Sequence, residues 1–229
     1  MPVIRALIFD FDGLILETEE ASYLSWKEIY ESFGFSLSYS TWSTLIGTTR
    51  GEFDPLLELQ KLVHDNTDWD RVELQRQASE NALIETQPVL PGVEGYLRDA
   101  RQLRLKIGLA SNSSCNWVMR HLTRLKLVDC FDCICGSDDV QRIKPDPELY
   151  YSVLDGLGAR ANEAIAFEDS PIGIRAAKGA GIFCVAVPNA FTSQLNFSHA
   201  DFKLDTLAEM PLEKLLLRLN AIKTQGAAD

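Results

Sequence analysis

The apolar run Ala6-Leu7-Ile8-Phe9 ends in Asp10-Phe11-Asp12-Gly13, which sets two carboxylates where a fully buried strand would stop. An unbroken apolar run of this length reads as a strand covered on both faces, the pattern of a parallel sheet held between helices. Burying one carboxylate there is costly, and burying a pair calls for something that uses it. In open α/β sheets ligands gather just beyond the carboxyl ends of the strands, so the two acids fall where such a fold does chemistry.

Strand-like apolar runs recur at residues 4–9, 107–110, 133–135, 164–167 and 183–187, and from Pro91 onward they alternate with helical patterns. That rhythm predicts an α/β fold with a doubly wound, Rossmann-like parallel sheet. Helix starts are legible at Asp146-Pro147-Glu148, a capping acid before a first-turn proline, and at Ser170-Pro171, while Gly179 and Gly181 end the second of these helices. Residues 18–87 differ in character. Tyr23, Trp26, Tyr30 and Phe33 fall at helical spacing, with Gly34 as a stop, and helical apolar sets continue at Trp42, Leu45 and Ile46, at Leu56, Leu59, Leu62 and Val63, and at Val72 and Leu74. The expected organisation is a catalytic core of residues 1–17 and 88–229 with an inserted α-helical cap of residues 18–87. The aromatic stripe is read as cap core, since helical spacing alone accounts for it. Residues 224–229 are expected to fray.

A net charge of −11 and no Lys/Arg-rich run argue against nucleic acid or an anionic membrane as partner. An anionic substrate would therefore need local cations. No stretch approaches the roughly 20 apolar residues of a membrane span, and the N-terminal apolar run is broken by Asp10 and Asp12, so the expected location is cytoplasmic. The five cysteines include a cluster at Cys130, Cys133 and Cys135. It has no second ligand pair at matching spacing, so Cys133-Ile134-Cys135 is read as a short strand rather than a zinc site. Gly156-Leu157-Gly158-Ala159 precedes a strand instead of following one, which makes it a helix-ending turn and not a dinucleotide loop.

Three of the predicted strands end in complementary polar residues: Asp10 and Asp12 after the first, Ser111-Asn112 after the second, and Glu168-Asp169-Ser170 after the fourth. Parallel strands bring these ends to one edge. Lys144 lies before Pro145, in a segment biased away from helix, and reaches the same edge. Hard oxygen ligands without a histidine or thiol cluster suit Mg²⁺. A carboxylate attacking a phosphate dianion meets charge repulsion, which Mg²⁺ and Lys144 would offset while the Ser111 hydroxyl and backbone N–H groups hold the equatorial oxygens. A second carboxyl must protonate the leaving oxygen and later deprotonate water, so Asp10 and Asp12 take distinct roles.

Asp10-Phe11-Asp12-Gly13, Ser111, Lys144 and Glu168-Asp169 resemble, in order, the four motifs of the haloacid dehalogenase superfamily. Thr18-Glu19, Gly47-Thr48-Thr49-Arg50, Lys144-Pro145 and Glu168-Asp169-Ser170 narrow the likeness to the β-phosphoglucomutase-like phosphatases with a helical cap. The resemblance implies that Asp10 forms an aspartyl-phosphate and that Asp12 is the acid/base. It implies that Asp10, the Asp12 main-chain carbonyl and Asp169 surround Mg²⁺, with Glu168 in that shell or close to it. Ser111 and Lys144 would bind the transferring phosphoryl group. Gly47 and Arg50 would present the cap's specificity loop, although Arg50 reads equally as a solvated cap arginine. Asn112 binds substrate or caps the following helix.

Two departures from the family pattern matter. Glu17 stands where relatives carry aspartate, which bears on cap positioning. Ser22 and Ile46 stand near positions where the mutases carry a histidine and a lysine, which counts against mutase activity. The function expected is a Mg²⁺-dependent phosphatase hydrolysing a small phosphomonoester, a sugar phosphate, in a monomer or weak homo-oligomer. The alternative is a β-phosphoglucomutase-like phosphotransferase, and a third reading is a catalytically silent binding protein on the same scaffold. The dehalogenase branch is disfavoured because it needs neither Asp12 nor a magnesium acid pair.

Overall fold

The computed structural model describes residues 3–42 and 54–225. Six parallel strands form one sheet: β1 (Ala6–Phe9), β2 (Lys106–Ala110), β3 (Cys133–Cys135), β4 (Ala164–Glu168), β5 (Phe183–Ala186) and β6 (Phe202–Lys203), in the spatial order β3-β2-β1-β4-β5-β6. The order reverses direction on either side of β1, which is paired with β2 at Phe9↔Leu109 and with β4 at Phe9↔Phe167. The ends of these three strands are thereby level with one another, and a crevice at this switch point is where a doubly wound sheet receives a ligand. The five expected strands are all present, within two residues of their expected limits. The sixth, β6, was not anticipated, because two residues carry no period.

Strand side chains alternate between the faces. Leu7, Phe9, Ile107, Leu109, Ile165, Phe167 and Val185 point to one side and pack with α5 (Val93–Gln102), α6 (Cys115–Arg124) and α9 (Leu212–Gln225). Ala6, Ile8, Ala110, Ala164, Ala166, Cys184 and Ala186 point to the other, toward α7 (Glu148–Leu157) and α8 (Pro171–Gly179). The second face is mostly alanine, so its helices approach closely: a Cβ on Gly108 would lie 2.4 Å from Val153 Cγ1. A sheet buried on both faces has to read as short continuous apolar runs, which is why the runs were recognisable.

Between β1 and α5 lie α1 (Glu19–Ser32), α2 (Tyr39–Trp42), α3 (Pro55–Leu62) and α4 (Trp69–Glu85). They pack around Trp26, Ile29, Tyr30, Leu37, Trp42 and Leu59, with Tyr23 and Phe33 against the same cluster. The aromatic stripe is the core of the helical cap. The chain enters and leaves the cap side by side, through a bridge between Leu16 and Val89 and a Leu90 N–H to Ile15 carbonyl bond of 2.9 Å.

Local signals mostly act as expected. Ser170 caps α8 through its hydroxyl, with Pro171 in the first turn, and Gly34, Gly158 and Gly181 take positive φ at helix ends. Two details differ. Pro147 sits just before α7 rather than in its first turn, and the Asp146 carboxylate accepts the Glu148 N–H at 3.1 Å. Helix α9 extends through Thr224 and Gln225, and the rest of the tail expected to fray, residues 226–229, lies outside the described residues.

Candidate active site

The turn after β1 fixes the two leading carboxylates. The Phe11 carbonyl accepts the N–H groups of Leu14, Ile15 and Leu16, and Gly13 donates back to the Leu16 carbonyl at 2.8 Å. Gly13 has φ +79°, and a Cβ there would lie 2.3 Å from Asp169 Oδ2, so both its conformation and the neighbouring acid exclude a side chain.

Asp10, Glu168 and Asp169 converge at the ends of β1 and β4, all buried, with one oxygen of each within 4.8 Å of the others. Lys144 reaches them from the loop ahead of α7: its Nζ lies 2.6 Å from Asp10 Oδ1, 2.6 Å from Glu168 Oε1 and 2.8 Å from the Ala110 carbonyl. Burial, and after it the charge of Glu168, pushes the Asp10 carboxyl up to about 8 despite Lys144. Asp169 is likewise raised well above the ordinary carboxylate range, by burial and by the charges of Asp10 and Glu168. Burial works against the Lys144 ammonium, but Asp10 and Glu168 outweigh it and hold its pKa above the ordinary lysine value.

One ammonium cannot balance this cluster, and the donor set shows what is missing. Glu168 Oε2 is buried without a hydrogen-bond partner, while Oε1 takes both Lys144 and the Tyr150 hydroxyl. Three close carboxylates with an orphaned oxygen fit a hard divalent cation that ligates through oxygen. Room for Glu168 depends on Gly173, where a Cβ would lie 1.8 Å from Oε2.

Asp12 is half-buried at the mouth of the site. Its Oδ2 accepts Ser113 Oγ at 2.7 Å and Ser111 Oγ at 3.3 Å, and its Oδ1 accepts the Trp117 indole N–H at 3.3 Å. Ser111 Oγ in turn accepts the Ser113 N–H. The Asp12 carboxyl is thus held by neutral donors, whereas Asp10 is held by a charged one. Asn112 turns toward Lys144, accepting its N–H at 2.8 Å and donating to its carbonyl at 3.2 Å; helix α6 is capped by Ser114 instead. Glu17, at the cap entrance, accepts the N–H groups of Glu19 and Glu20 and so caps α1 itself. Its carboxyl is raised by burial, against those two bonds. Glu19 is pushed up to about 7 by burial and then by Asp12, Glu17 and Glu80, which adds a further acid beside the mouth. Gly47, Arg50 and Ile46 lie outside the described residues.

The profile of the haloacid dehalogenase-like hydrolases matches residues 7–187. This chain belongs to that family. Among relatives of this haloacid dehalogenase-like hydrolase, a Bacillus subtilis (strain 168) protein named "Putative phosphatase YhcW" is 44% identical over 219 residues, covering 96% of this chain and 99% of the relative. The phosphorylated carbohydrates phosphatase of Thermotoga maritima is 31% identical over 180 residues, covering 78% of this chain and 82% of the relative. Among solved structures, β-phosphoglucomutase of Clostridium difficile superposes with a TM-score of 0.76 at 28% identity, covering 97% of this chain and all of that one. The hydrolase is accordingly an enzyme of the phosphatase type.

Sequence reasoning missed several residues that touch the site. Ser113 and Trp117 lie on the loop and helix just past Ser111, and Tyr150 lies in the first turn of α7. Asn189 follows β5, and its side-chain N–H₂ donates to Asp169 Oδ2 and to the Gly13 carbonyl, both at 3.1 Å. The strand-end rule that found Asp10, Ser111 and Glu168 would have found Asn189 had it been applied to β5.

Proposed function

We propose that this hydrolase is a Mg²⁺-dependent phosphatase that cleaves a small phosphomonoester, a sugar phosphate, through an aspartyl-phosphate on Asp10. The observation that carries the reading is the convergence of Asp10, Glu168 and Asp169 at the switch point of the sheet, with Lys144 bridging Asp10 and Glu168 and the Glu168 Oε2 oxygen left over. The relative named for phosphorylated carbohydrates supports the substrate class. The core would comprise residues 1–17 and 88–229, and the cap residues 18–87, with the reaction in the cytoplasm.

Asp10 Oδ attacks phosphorus, and the bond to the leaving oxygen breaks as that oxygen takes the Asp12 proton. Water then attacks the aspartyl-phosphate, gives its proton to Asp12, and releases inorganic phosphate with the Asp10 carboxylate restored. Lys144 and Ser111 hold the phosphoryl oxygens, and the bonds from Ser113 and Trp117 keep the Asp12 carboxyl in place. When bound, Mg²⁺ neutralises phosphate charge that would otherwise repel Asp10. The family resemblance would give Gly47 and Arg50 the recognition of the non-transferring part of the substrate, and Asn112 supports the Lys144 main chain.

The test is phosphate release from a panel of phosphorylated metabolites, with and without excess EDTA. Full activity in EDTA overturns the reading. The mutase alternative is separated in the same experiment. β-Glucose 1-phosphate with Mg²⁺ and a catalytic amount of glucose 1,6-bisphosphate, coupled to glucose-6-phosphate dehydrogenase, is expected to give little NADPH. NADPH formation outpacing phosphate release would establish the mutase instead.

A further inference from the structure

The segment that follows β5 joins two parts of the molecule that have different jobs. Asn189 bonds the Asp169 carboxylate and the Gly13 carbonyl through its Nδ2 hydrogens. Its Oδ1 accepts the N–H groups of Phe191 and Thr192 at 2.8 and 2.9 Å, and its own N–H donates to Thr192 Oγ1 at 3.0 Å. Both ends of the amide are therefore committed, and the side chain and the loop are fixed by one set of bonds.

Two residues on, the same loop leaves the core and enters the cap. Phe191 packs edge-on against Tyr39, with ring centroids 5.5 Å apart, and lies 6.4 Å from Tyr23, while Tyr39 Oη donates to the Phe191 carbonyl at 2.8 Å. Leu195 packs against the same cap cluster. A loop of the core thus supplies part of the apolar core of the cap.

We propose that residues 189–193 form a strap in which Asn189 is a positioning residue for Asp169 and Phe191 seats the same loop on the cap, so that cation binding and cap seating favour each other. The inference rests on the cation-dependent reading of the site. Asp169 stands close to two other buried acids and needs a donor to stay aimed at the point they share. Asn189 is that donor, and its geometry depends on a loop whose other anchor is the cap. Any change that frees Phe191 loosens the amide that orients Asp169. By linkage, a cation that tightens Asp169 strengthens the Phe191 contact by the same factor.

The experiment measures Mn²⁺ affinity directly, by the loss of the free-ion EPR signal, on the full chain without substrate. Thermal melts in EDTA report the fold of each variant. Asn189→Ala is expected to weaken Mn²⁺ binding about tenfold. Asn189→Ser, whose hydroxyl can still close the turn onto residues 191 and 192, is expected to weaken it comparably while melting close to wild type. Phe191→Ala, which touches no ligand of the cation, is expected to weaken it about fivefold. Mn²⁺ affinity within twofold of wild type in folded Asn189→Ser overturns the positioning role. Unchanged affinity in folded Phe191→Ala overturns the coupling to the cap. A wild-type chain that does not bind Mn²⁺ overturns the cation-dependent reading itself, a result distinct from either.

Discussion

Lys144 Nζ lies 2.6 Å from Asp10 Oδ1, and the pair meets at the carboxyl edge of the sheet across 134 residues of sequence. The contact assigns the Asp10 carboxylate a fixed direction and leaves the cluster around it with more negative than positive charge. Most of what the site should do on perturbation follows from that imbalance.

Asp10→Asn keeps the shape of the side chain but removes the nucleophile, so turnover should fall about a thousandfold or more. It also removes one acid from a repelling cluster. The melting temperature in EDTA should hold or rise, and a variant that keeps more than a few per cent of wild-type activity would show that another group attacks phosphorus.

The raised carboxyls make the cation-free protein sensitive to alkali. Asp10 titrates at about 8 in the folded state against 3.8 in the unfolded one, so the folded state holds the proton more tightly. Its contribution to stability is complete below about pH 4 and is lost as pH rises through about 8, and Asp169 acts in the same direction. Lys144 remains charged throughout that window. Melting temperature in EDTA should therefore fall between pH 5 and pH 8.5, and millimolar Mg²⁺ should restore most of the loss at the upper end. A flat profile in EDTA would contradict the pairing of buried acids.

Gly173→Ala should behave contrary to helix propensity. Alanine in a helix interior ordinarily gains about 1 kcal/mol over glycine, but Gly173 lies in the first turn of α8, where a Cβ would lie 1.8 Å from Glu168 Oε2. The variant should lose about 1–3 kcal/mol by chemical denaturation and bind divalent cation more weakly, because Glu168 must move. Stabilisation would mean that Glu168 has room elsewhere.

Asp12→Asn should discriminate between leaving groups. With a sugar phosphate, whose leaving oxygen needs a proton, kcat should drop about a hundredfold or more, and with p-nitrophenyl phosphate, which leaves unprotonated, by less. Trp117→Phe, which deletes one donor to Asp12 and keeps a smaller aromatic ring, should show the same ordering at smaller size. Equal losses on both substrates would remove the acid/base role from Asp12.

The sheet was legible because burial on both faces forces apolar runs, and the motif acids were legible because a polar residue at the end of such a run is conspicuous. The cap was legible as helices, and Tyr23, Trp26, Tyr30 and Phe33 were correctly read as its core. The supporting donors were not. Ser113, Trp117 and Tyr150 are ordinary residues for their helices and loops, and nothing in their spacing shows which oxygen each will meet. In the sequence Glu17 shows only a departure bearing on cap position, and its local role as the cap of α1 depends on the path of the chain.

The sequence alone determined the strand ends, since local apolar pattern and the right-handed winding of β-α-β units leave little freedom in where those ends collect. Only the tertiary structure decided how the charges there are satisfied. That Glu168 divides its oxygens between Lys144 with Tyr150 and an unpartnered position, and that Asn189 ties Asp169 to a loop seated in the cap, depends on contacts between segments far apart in the chain. Hydrogen bonds are directional and act over about 3 Å, so no periodicity in one strand of sequence can specify them.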